Sequence, residues 1–290
     1  MIERTEPACL VIADITGYSG YLAGVELDHA QDILADLIDT VVGAFRPTFR
    51  LAKLEGDAAF AWMPAATIDG SELRDVIEGC YFAFQRRIRD IRQASACGCT
   101  ACVRTPGLDL KFVAHHGRVV RQQMAGMEEL VGNDVIVVHR LLKNRVGEEL
   151  GIPAYVLYTD TLVRLMGLAD PAASGMRAHR EVFESVGEVS GWVTDLEAAW
   201  EAEQVRDRTR VTDEEALFVI ALPTAAVPRE ILWEWVTSPA RRVRWTTGLS
   251  EVVEDTVAGR RGLGTVNHCA HGADLSIEEI VDWVPPEYET

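Results

Sequence analysis

The chain alternates short apolar runs with longer amphipathic segments, a pattern typical of a protein that mixes strands with helices. Residues 8–15 form a β-branched, apolar run that predicts a buried strand. An amphipathic segment over residues 33–45 predicts a helix, which Pro47 ends. An apolar hairpin is predicted next, over residues 48–63, and a second amphipathic helix over residues 73–88.

The elements predicted after this point include more strands than helices. They are strands at 108–116 and 119–124 joined at Gly117, a strand at 154–159, a short helix at 160–167 and two strands near 179–195. Residues 131–144 are ambiguous, because Val135 to Val138 favours a strand whereas the following Leu-Leu-Lys-Asn segment is typical of a helix. The order β-α-β-β-α-β-β, followed by α-β, predicts a ferredoxin-like α+β domain with extra αβ elements.

The length and a charged segment divide the chain. Its 290 residues are enough for about two domains. A charged helical linker is predicted at residues 197–213. It separates a first domain at residues 1–196 from a second unit at residues 214–290, which begins with a predicted strand at 215–222.

The composition limits the classes of partner. A net charge of −17 argues against broad nucleic-acid or anionic-membrane surfaces, because those need basic faces. No apolar run reaches the length of a membrane span and no signal peptide is visible, so we expect a cytoplasmic protein. In that compartment the six cysteines are expected to be thiols or metal ligands rather than disulfides.

Two aspartates mark the first candidate site. Asp14 ends the first predicted strand, and Asp57 follows Gly56 in the turn of the hairpin. Two carboxylates brought to one end of a sheet repel each other unless a cation lies between them, and Mg²⁺ uses such ligands together with phosphate oxygens. Spacing alone leaves open that these are two unrelated turn residues, since aspartate is common in turns.

Four segments in this part of the chain carry a resemblance. They are Asp14-Ile-Thr-Gly-Tyr-Ser19, Lys53-Leu-Glu-Gly-Asp57, Ala114-His-His-Gly117 and Gly132-Asn-Asp-Val-Ile-Val-Val-His-Arg140. In this order they resemble the motifs of the class III nucleotidyl cyclases, the adenylate and guanylate cyclases, over about residues 6–196. The resemblance also implies that residues 132–144 form a helix.

The resemblance implies a site and a reaction. The implied site residues are Asp14, Ile15 (through its carbonyl) and Asp57 for Mg²⁺ or Mn²⁺, Lys53 and Glu129 for the purine, and Arg140 for the α-phosphate. A lysine at the position of Lys53 goes with adenine in this family, so the implied substrate is ATP, cyclised to cyclic AMP with release of pyrophosphate. The implied assembly is a head-to-tail homodimer, in which each site takes residues from both chains.

Two departures from the family pattern weaken the implied activity. Ile136 stands where the family has an asparagine that holds the ribose, and isoleucine cannot donate a hydrogen bond. The lysine that binds the triphosphate is expected near residues 184–192, where this sequence has none. The two hypotheses are therefore a divergent adenylate cyclase and a degenerate regulatory domain that binds nucleotide and metal without turnover.

A cluster of cysteines forms the second candidate site. Cys97, Cys99 and Cys102 lie within six residues and suit a structural Zn²⁺, with a fourth ligand from elsewhere. The candidates for that ligand are Cys80, His115 and His116. Reduced loop thiols and a redox switch are the alternatives. For His115 we expect a hydrogen-bonded histidine at a strand end rather than a catalytic base.

The second unit carries a resemblance of its own. A Trp-rich segment at residues 228–239, a Gly-Leu-Gly-Thr-Val segment ending at Val266 and the stretch from Glu278 to Trp283 resemble the start of START-like helix-grip domains, such as polyketide cyclases and lipid-transfer proteins. This implies a small apolar ligand, with an incomplete unit because the chain ends at Thr290. The alternative is an aromatic core without a pocket. A third functional hypothesis gives the activity to this unit and only dimerisation to the first domain.

Overall fold

The structure is a computed structural model of the chain. It describes residues 5–94, 97–124, 126–212, 214–216 and 226–290, without the side chains of Asp28 and Ala94. The chain divides into two compact units, Met1–Gln204 and Val205–Thr290. Apart from its first two positions, the strand predicted at 215–222 lies outside the described residues.

The first unit contains a large sheet and helices on both of its faces. Its strands are β1 (Glu6–Thr16), β2 (Arg50–Glu55), β3 (Ala58–Pro64), β4 (Asp109–Met124), β5 (Met127–Val131), β6 (Tyr155–Thr159), β7 (Arg177–Phe183) and β8 (Gly187–Asp195). Its helices are α1 (Tyr18–Leu22), α2 (Leu27–Phe45), α3 (Gly70–Ala94), α4 (Thr100–Arg104), α5 (Asn133–Leu141), α6 (Val146–Leu150), α7 (Asp160–Leu165) and α8 (Leu196–Val205).

The strand order is β2-β3-β1-β4-β6-β8-β7, and β5 pairs with the outer part of β4. β1 pairs antiparallel with β3 and with β4, β3 pairs antiparallel with β2, and β4 runs parallel to β6. The first four strands therefore stand in the 4-1-3-2 order of a split βαβ unit. The predicted α+β class is confirmed, and the additional elements extend the sheet into a large mixed one.

β1 is covered on both faces, which explains its continuous apolar sequence. Cys9 and Val11 point into the core formed with α2 and α3, which includes Phe45. Leu10 and Ile12 point into the core formed with α5. All four of these β1 side chains are fully buried.

Gly117 does not end a strand, so the prediction of two strands joined there is wrong. It lies within the continuous strand β4 and pairs in register with Ala8 of β1. A Cβ at this position would lie 2.2 Å from the carboxyl carbon of Asp134, at the start of α5. Glycine is needed because a side chain packs closely on the strand, and no turn is involved.

The ambiguous segment forms the helix α5, as the resemblance implies. Val138 and Leu141 are buried in the core on the α5 side of the sheet, three residues apart on one helix face. Gly132 precedes the helix with φ of 146°, a backbone conformation that favours glycine. Burial of a helical face overrides the strand propensity of the valines.

α8 packs on the first unit through its N-terminal half. Leu196 is fully buried in the core formed with α2 and α3. The Trp200 ring lies 5.4 Å from the ring of Phe82, and the guanidinium groups of Arg86 and Arg89 lie 5.7 Å and 5.2 Å from it. These contacts place the first residues of the predicted linker in the first unit.

The second unit is smaller and has its own sheet. Its elements are α9 (Arg229–Thr237), α10 (Pro239–Arg242), β9 (Glu251–Asp255), β10 (Val266–His271), β11 (Asp274–Glu279), β12 (Trp283–Val284) and β13 (Tyr288–Glu289). β10 pairs antiparallel with β9 and β11. The Trp-rich segment forms α9, β10 begins at Val266, and the rings of Trp233 and Trp283 meet at 4.7 Å. The START-like arrangement stays a prediction.

Across the ranges that the structure describes, no helix combines the length and the apolar character needed to cross a bilayer.

The substitution Gly117→Ala is expected to lower the free energy of unfolding by about 2 kcal/mol, because the added methyl group overlaps the Asp134 side chain. Chemical denaturation followed by circular dichroism measures this. Gly79→Ala is the control: nothing lies within 4 Å of a Cβ there, inside helix α3, so a gain of roughly 0.5–1 kcal/mol is expected. Equal effects of the two substitutions would contradict the packing argument.

Candidate active site at the end of the central strands

Asp14 lies near the end of β1, directly between two neighbouring strands. It stands opposite Ala58 of β3 and Lys111 of β4. The Lys111 Nζ lies 3.2 Å from the Asp14 Oδ2, and each side chain keeps 20% of its surface exposed. Lys111 also donates a hydrogen bond to the carbonyl oxygen of Leu142, beyond the end of α5, at 3.3 Å.

Asp57 reaches the same place from the turn between β2 and β3. Gly56 makes the turn with φ of 69°, and the carbonyl oxygen of Asp57 accepts a hydrogen bond from the backbone N–H of Ile15 at 3.3 Å. Burial raises the pKa of Asp57, and the charge of Asp14 raises it further, while Lys111 lowers it. Asp57 directly precedes Ala58, which pairs with Asp14, so the structure brings the two predicted carboxylates to the same end of the sheet.

Lys111 is a site residue that the sequence analysis missed. The available signal was a single charged residue inside the apolar run from Leu110 to Ala114. Two carboxylates and one ammonium group leave a charge of −1 when all are ionised. The carboxylate oxygens fit a divalent cation such as Mg²⁺, but the ammonium group already neutralises part of their charge and competes with a metal.

Ile15 faces away from this group. Its side chain is buried in the core formed with α2 and α3, so only its backbone is available to the site. The N–H holds the Asp57 turn, as described above. A role for its carbonyl oxygen in metal binding stays a prediction.

Lys53 reaches the α5 side of the sheet through an irregularity in β2. Leu51 pairs with Ala61, whereas the next paired residue, Lys53, stands opposite Phe60. One extra residue in a strand exchanges its two faces. Ala61 belongs to the core with α2 and α3, and Phe60 to the core with α5. The Lys53 Nζ thereby comes within 3.9 Å of the Glu129 Oε1 in β5. The two residues predicted to contact the purine therefore lie side by side.

The outer face of α5 carries the remaining predicted residues. Ile136 is 50% exposed and Arg140 is exposed. Together with Val135, His139 and Lys143 they line an open depression of about 380 Å³. Among the described residues, the Arg140 guanidinium has no hydrogen-bond or ion-pair partner, so it is available to a ligand or a second chain.

His115 is a hydrogen-bonded core histidine, as expected. It lies between the Thr159 Oγ1 (2.9 Å from Nδ1) and the Asp134 Oδ1 (3.0 Å from Nε2). Burial lowers its pKa, although Asp134 acts in the opposite direction. Asp134 also accepts a hydrogen bond from the Arg118 backbone N–H at 2.6 Å, which fixes α5 on β4.

The cysteine cluster gathers around a histidine that the sequence analysis did not consider. Cys97, Cys99 and Cys102 surround the Nδ1 of His29, at the N-terminal end of α2. Of the three fourth-ligand candidates named from the sequence, Cys80 is fully buried beside the Val41 carbonyl oxygen. Among the described residues, His29 and the three cysteines form the one group of three or more His, Cys, Asp or Glu side chains whose ligand atoms lie close enough to share a metal ion.

Electrostatics within the cluster favour a thiolate at Cys99 beside an imidazolium at His29. A hydrogen bond from the Cys102 backbone and one from His29 lower the pKa of the Cys99 thiol to about 6. The same hydrogen bond with Cys99 raises the pKa of His29. No local pattern identifies His29 from sequence, because it lies 68 residues before Cys97.

Comparison with solved structures assigns the fold. A bacterial light-regulated adenylyl cyclase superposes with a TM-score of 0.50 at 12% identity, covering 68% of this chain and 54% of that chain. The adenylyl cyclase CyaB from P. aeruginosa gives a TM-score of 0.47 at 13% identity, covering 67% of this chain and 97% of that chain. The likeness to the light-regulated enzyme shows a cyclase-type fold, and this chain spans about half of that protein's length.

Sequence comparison assigns the family. The chain is 34% identical over 163 residues to the uncharacterized protein Rv2561/Rv2562 of Mycobacterium tuberculosis (strain ATCC 25618 / H37Rv), covering 56% of this chain and 73% of that protein. The chain belongs to the same family as this mycobacterial protein. Residues 34–149 also match a family described as a protein of unknown function, DUF2652. That match includes Asp57 and Arg140 but neither Asp14 nor His29.

Replacing Lys111 by methionine is expected to raise the pKa of Asp57, because the ionised carboxylate loses its nearby cation while Asp14 stays. Carbonyl ¹³C NMR titration of the aspartate side chains, without divalent ions, measures this. Lys143→Met is the matched control, since Lys143 does not contribute to the Asp57 pKa. An unchanged or lowered Asp57 pKa in the Lys111 variant would show that the ammonium group does not act on both carboxylates.

Proposed function

We propose that the first unit binds ATP together with Mg²⁺ or Mn²⁺ and cyclises it slowly to cyclic AMP and pyrophosphate. The observation that carries this proposal is the meeting of Asp14 and Asp57 at one end of the central strands. Asp57 directly precedes Ala58, the residue that pairs with Asp14, and its carbonyl oxygen accepts a hydrogen bond from the Ile15 N–H at 3.3 Å. A cyclase-type fold is consistent with this use of the site.

The metal end of the site would hold the triphosphate. Asp14 and Asp57 supply carboxylate oxygens, the ligands that Mg²⁺ prefers beside phosphate. The bound ion would stabilise negative charge on the attacking and leaving oxygens. Lys111 offsets part of the carboxylate charge, so metal affinity is expected to be modest without nucleotide. With nucleotide bound, its ammonium group is placed to contact phosphate oxygens.

The purine end rests on the Lys53–Glu129 pair. The two side chains provide one hydrogen-bond donor and one acceptor on adjacent strands, the minimum needed to read the edge of a purine. Both are partly exposed, with 51% and 31% of their side-chain surface accessible. At a separation of 3.9 Å, the two groups would suit neighbouring polar atoms on one edge of a base.

The ribose and phosphate end is where catalysis is reduced. Ile136 presents an apolar side chain on the exposed face of α5, at the position where the class III cyclases have a hydrogen-bond donor. The β7–β8 hairpin, which spans the expected position of the phosphate-binding lysine, contains no lysine. Loss of one preorganised donor commonly lowers kcat by about 10²–10³. Two missing donors therefore predict slow turnover with retained binding.

A second copy of the chain would complete the site. Met127 and Ile136 are each half exposed or more, and they lie on the elements that carry Glu129 and Arg140. Exposed apolar side chains on the elements that carry candidate site residues would suit an interface. In a two-fold dimer, the unpartnered Arg140 would then face the α-phosphate bound at the partner's carboxylates.

The second candidate function is a nucleotide-binding regulator without turnover. The observation that favours it is the Lys111–Asp14 ion pair, because a tethered cation already occupies part of the metal position. Such a domain would respond to nucleotide and pass the signal to the second unit, whose START-like apolar-ligand site stays a proposal. The two candidates differ in whether cyclic AMP is formed.

Wild-type protein incubated with ATP and Mn²⁺ is expected to form cyclic AMP, whereas Asp57→Ala forms none above background because the metal loses a ligand. Mass spectrometry of the product and calorimetry of ATP binding are the measurements. Asp39→Ala, which removes an exposed carboxylate from α2, is the control and keeps the wild-type rate. ATP binding without any product above the Asp57 variant would establish the regulator instead, and absence of both would overturn the nucleotide site.

Mixing two inactive variants is expected to restore activity if the site spans two chains. Asp57→Ala lacks the metal end and Arg140→Ala lacks the phosphate end, so a mixed dimer holds one intact site. About a quarter of the wild-type activity should return after equal mixing, since half of the dimers are mixed. Sedimentation analysis of both variants checks that they still dimerise. Dimers that mix without regaining activity would place the whole site within one chain.

A further inference from the structure

The cysteine cluster and His29 bring four donor atoms together. One ligand atom from each residue can be chosen so that all four lie within 4.8 Å of one another. The His29 Nδ1 lies 3.2 Å from the Cys99 Sγ, 3.7 Å from the Cys97 Sγ and 3.8 Å from the Cys102 Sγ. One imidazole nitrogen therefore faces three sulfur atoms at nearly equal distances.

These separations match the edges of a zinc tetrahedron. With Zn–S bonds of about 2.3 Å and Zn–N bonds of about 2.05 Å, tetrahedral angles place nitrogen and sulfur ligands about 3.6 Å apart. The three observed nitrogen–sulfur distances scatter around that value. An ion at the centre of the cluster needs only small side-chain movements.

Hydrogen bonds of the backbone also hold the segment that carries Cys99 and Cys102 in place. α4 begins immediately after Cys99, and the Val103 N–H donates to the Cys99 carbonyl oxygen at 3.1 Å. Cys99 and Cys102 are thus separated by two residues on one turn, a spacing common among zinc ligands. The Ala101 N–H donates to the Glu26 carboxylate at 3.2 Å, which holds this turn against the start of α2.

Disulfide chemistry accounts for this group less well. All six cysteines lie in the described residues and none is in a disulfide. A disulfide would use two of the three clustered sulfur atoms and leave the third and the imidazole without a role. Three thiolates and one imidazole instead form a complete ligand set that selects zinc over hard cations such as Mg²⁺.

We propose that His29, Cys97, Cys99 and Cys102 bind one Zn²⁺ ion in a closed structural site that fastens the α3–β4 connection to the N-terminal end of α2. Four protein ligands leave no open position, so the ion serves the fold and not catalysis. This proposal does not depend on nucleotide binding by the first unit.

The zinc content of the purified 290-residue chain tests the proposal. Protein produced with added zinc, and purified under reducing conditions without chelator, is expected to contain one zinc per chain by atomic emission. His29→Ala and Cys99→Ser are expected to weaken zinc binding at least about ten-fold, since even outer contacts of a metal site account for 10–100-fold. His271→Ala and Cys269→Ser, which change the same residue types in the second unit, should keep the full content.

One further variant and one spectroscopic probe separate ligand loss from misfolding. His29 is exposed, so His29→Cys should fold and retain zinc through four thiolates. Replacement of zinc by Co²⁺ should give the visible absorption of a tetrahedral thiolate site in the wild type and a changed spectrum in His29→Cys. Zinc content unchanged in folded His29→Ala, or a wild type without zinc whose three thiols form disulfides, would overturn the proposal.

Discussion

The pairing of β1 with both of its neighbours is the constraint on which the rest of the first unit depends. One register sets Asp14 opposite Ala58, and the other sets it opposite Lys111. Both faces of the strand are buried, so a slip by one residue would exchange its two cores. The close approach of Asp14, Asp57 and Lys111 is therefore fixed by backbone pairing rather than by flexible side chains.

Much of this arrangement follows from local sequence. Apolar runs and amphipathic periods place the first strand, the hairpin and the two long helices, because each buries a regular pattern. The course of the chain at Gly117 could not be read locally, since the partner that requires glycine there is Asp134, which lies beyond the next strand. The same limit applies to the ligand set at the cysteine cluster, where tertiary contact with α2 supplies His29.

The candidate site shows the same division. Asp14, Asp57 and the Lys53–Glu129 pair were identified through motifs, and the structure brings each pair together. Lys111 belongs to no motif, yet its ammonium group reduces the net charge of the two ionised carboxylates from −2 to −1. Carboxylates that match a metal-binding motif can thus lie beside a cation that the motif does not include. Fold and motif describe what a site can hold, while its total charge decides how firmly a cation is held.

The extra residue between Leu51 and Lys53 makes the pairing register of β2 part of the site's geometry. A regular strand of the same length would keep Leu51 and Lys53 on one face and so turn the ammonium group toward α2 and α3, although every site residue would still be present. A relative that keeps all of these residues but pairs this strand without the irregularity would then present a different side chain to β5. The register of β2 is therefore a property to compare alongside residue identity.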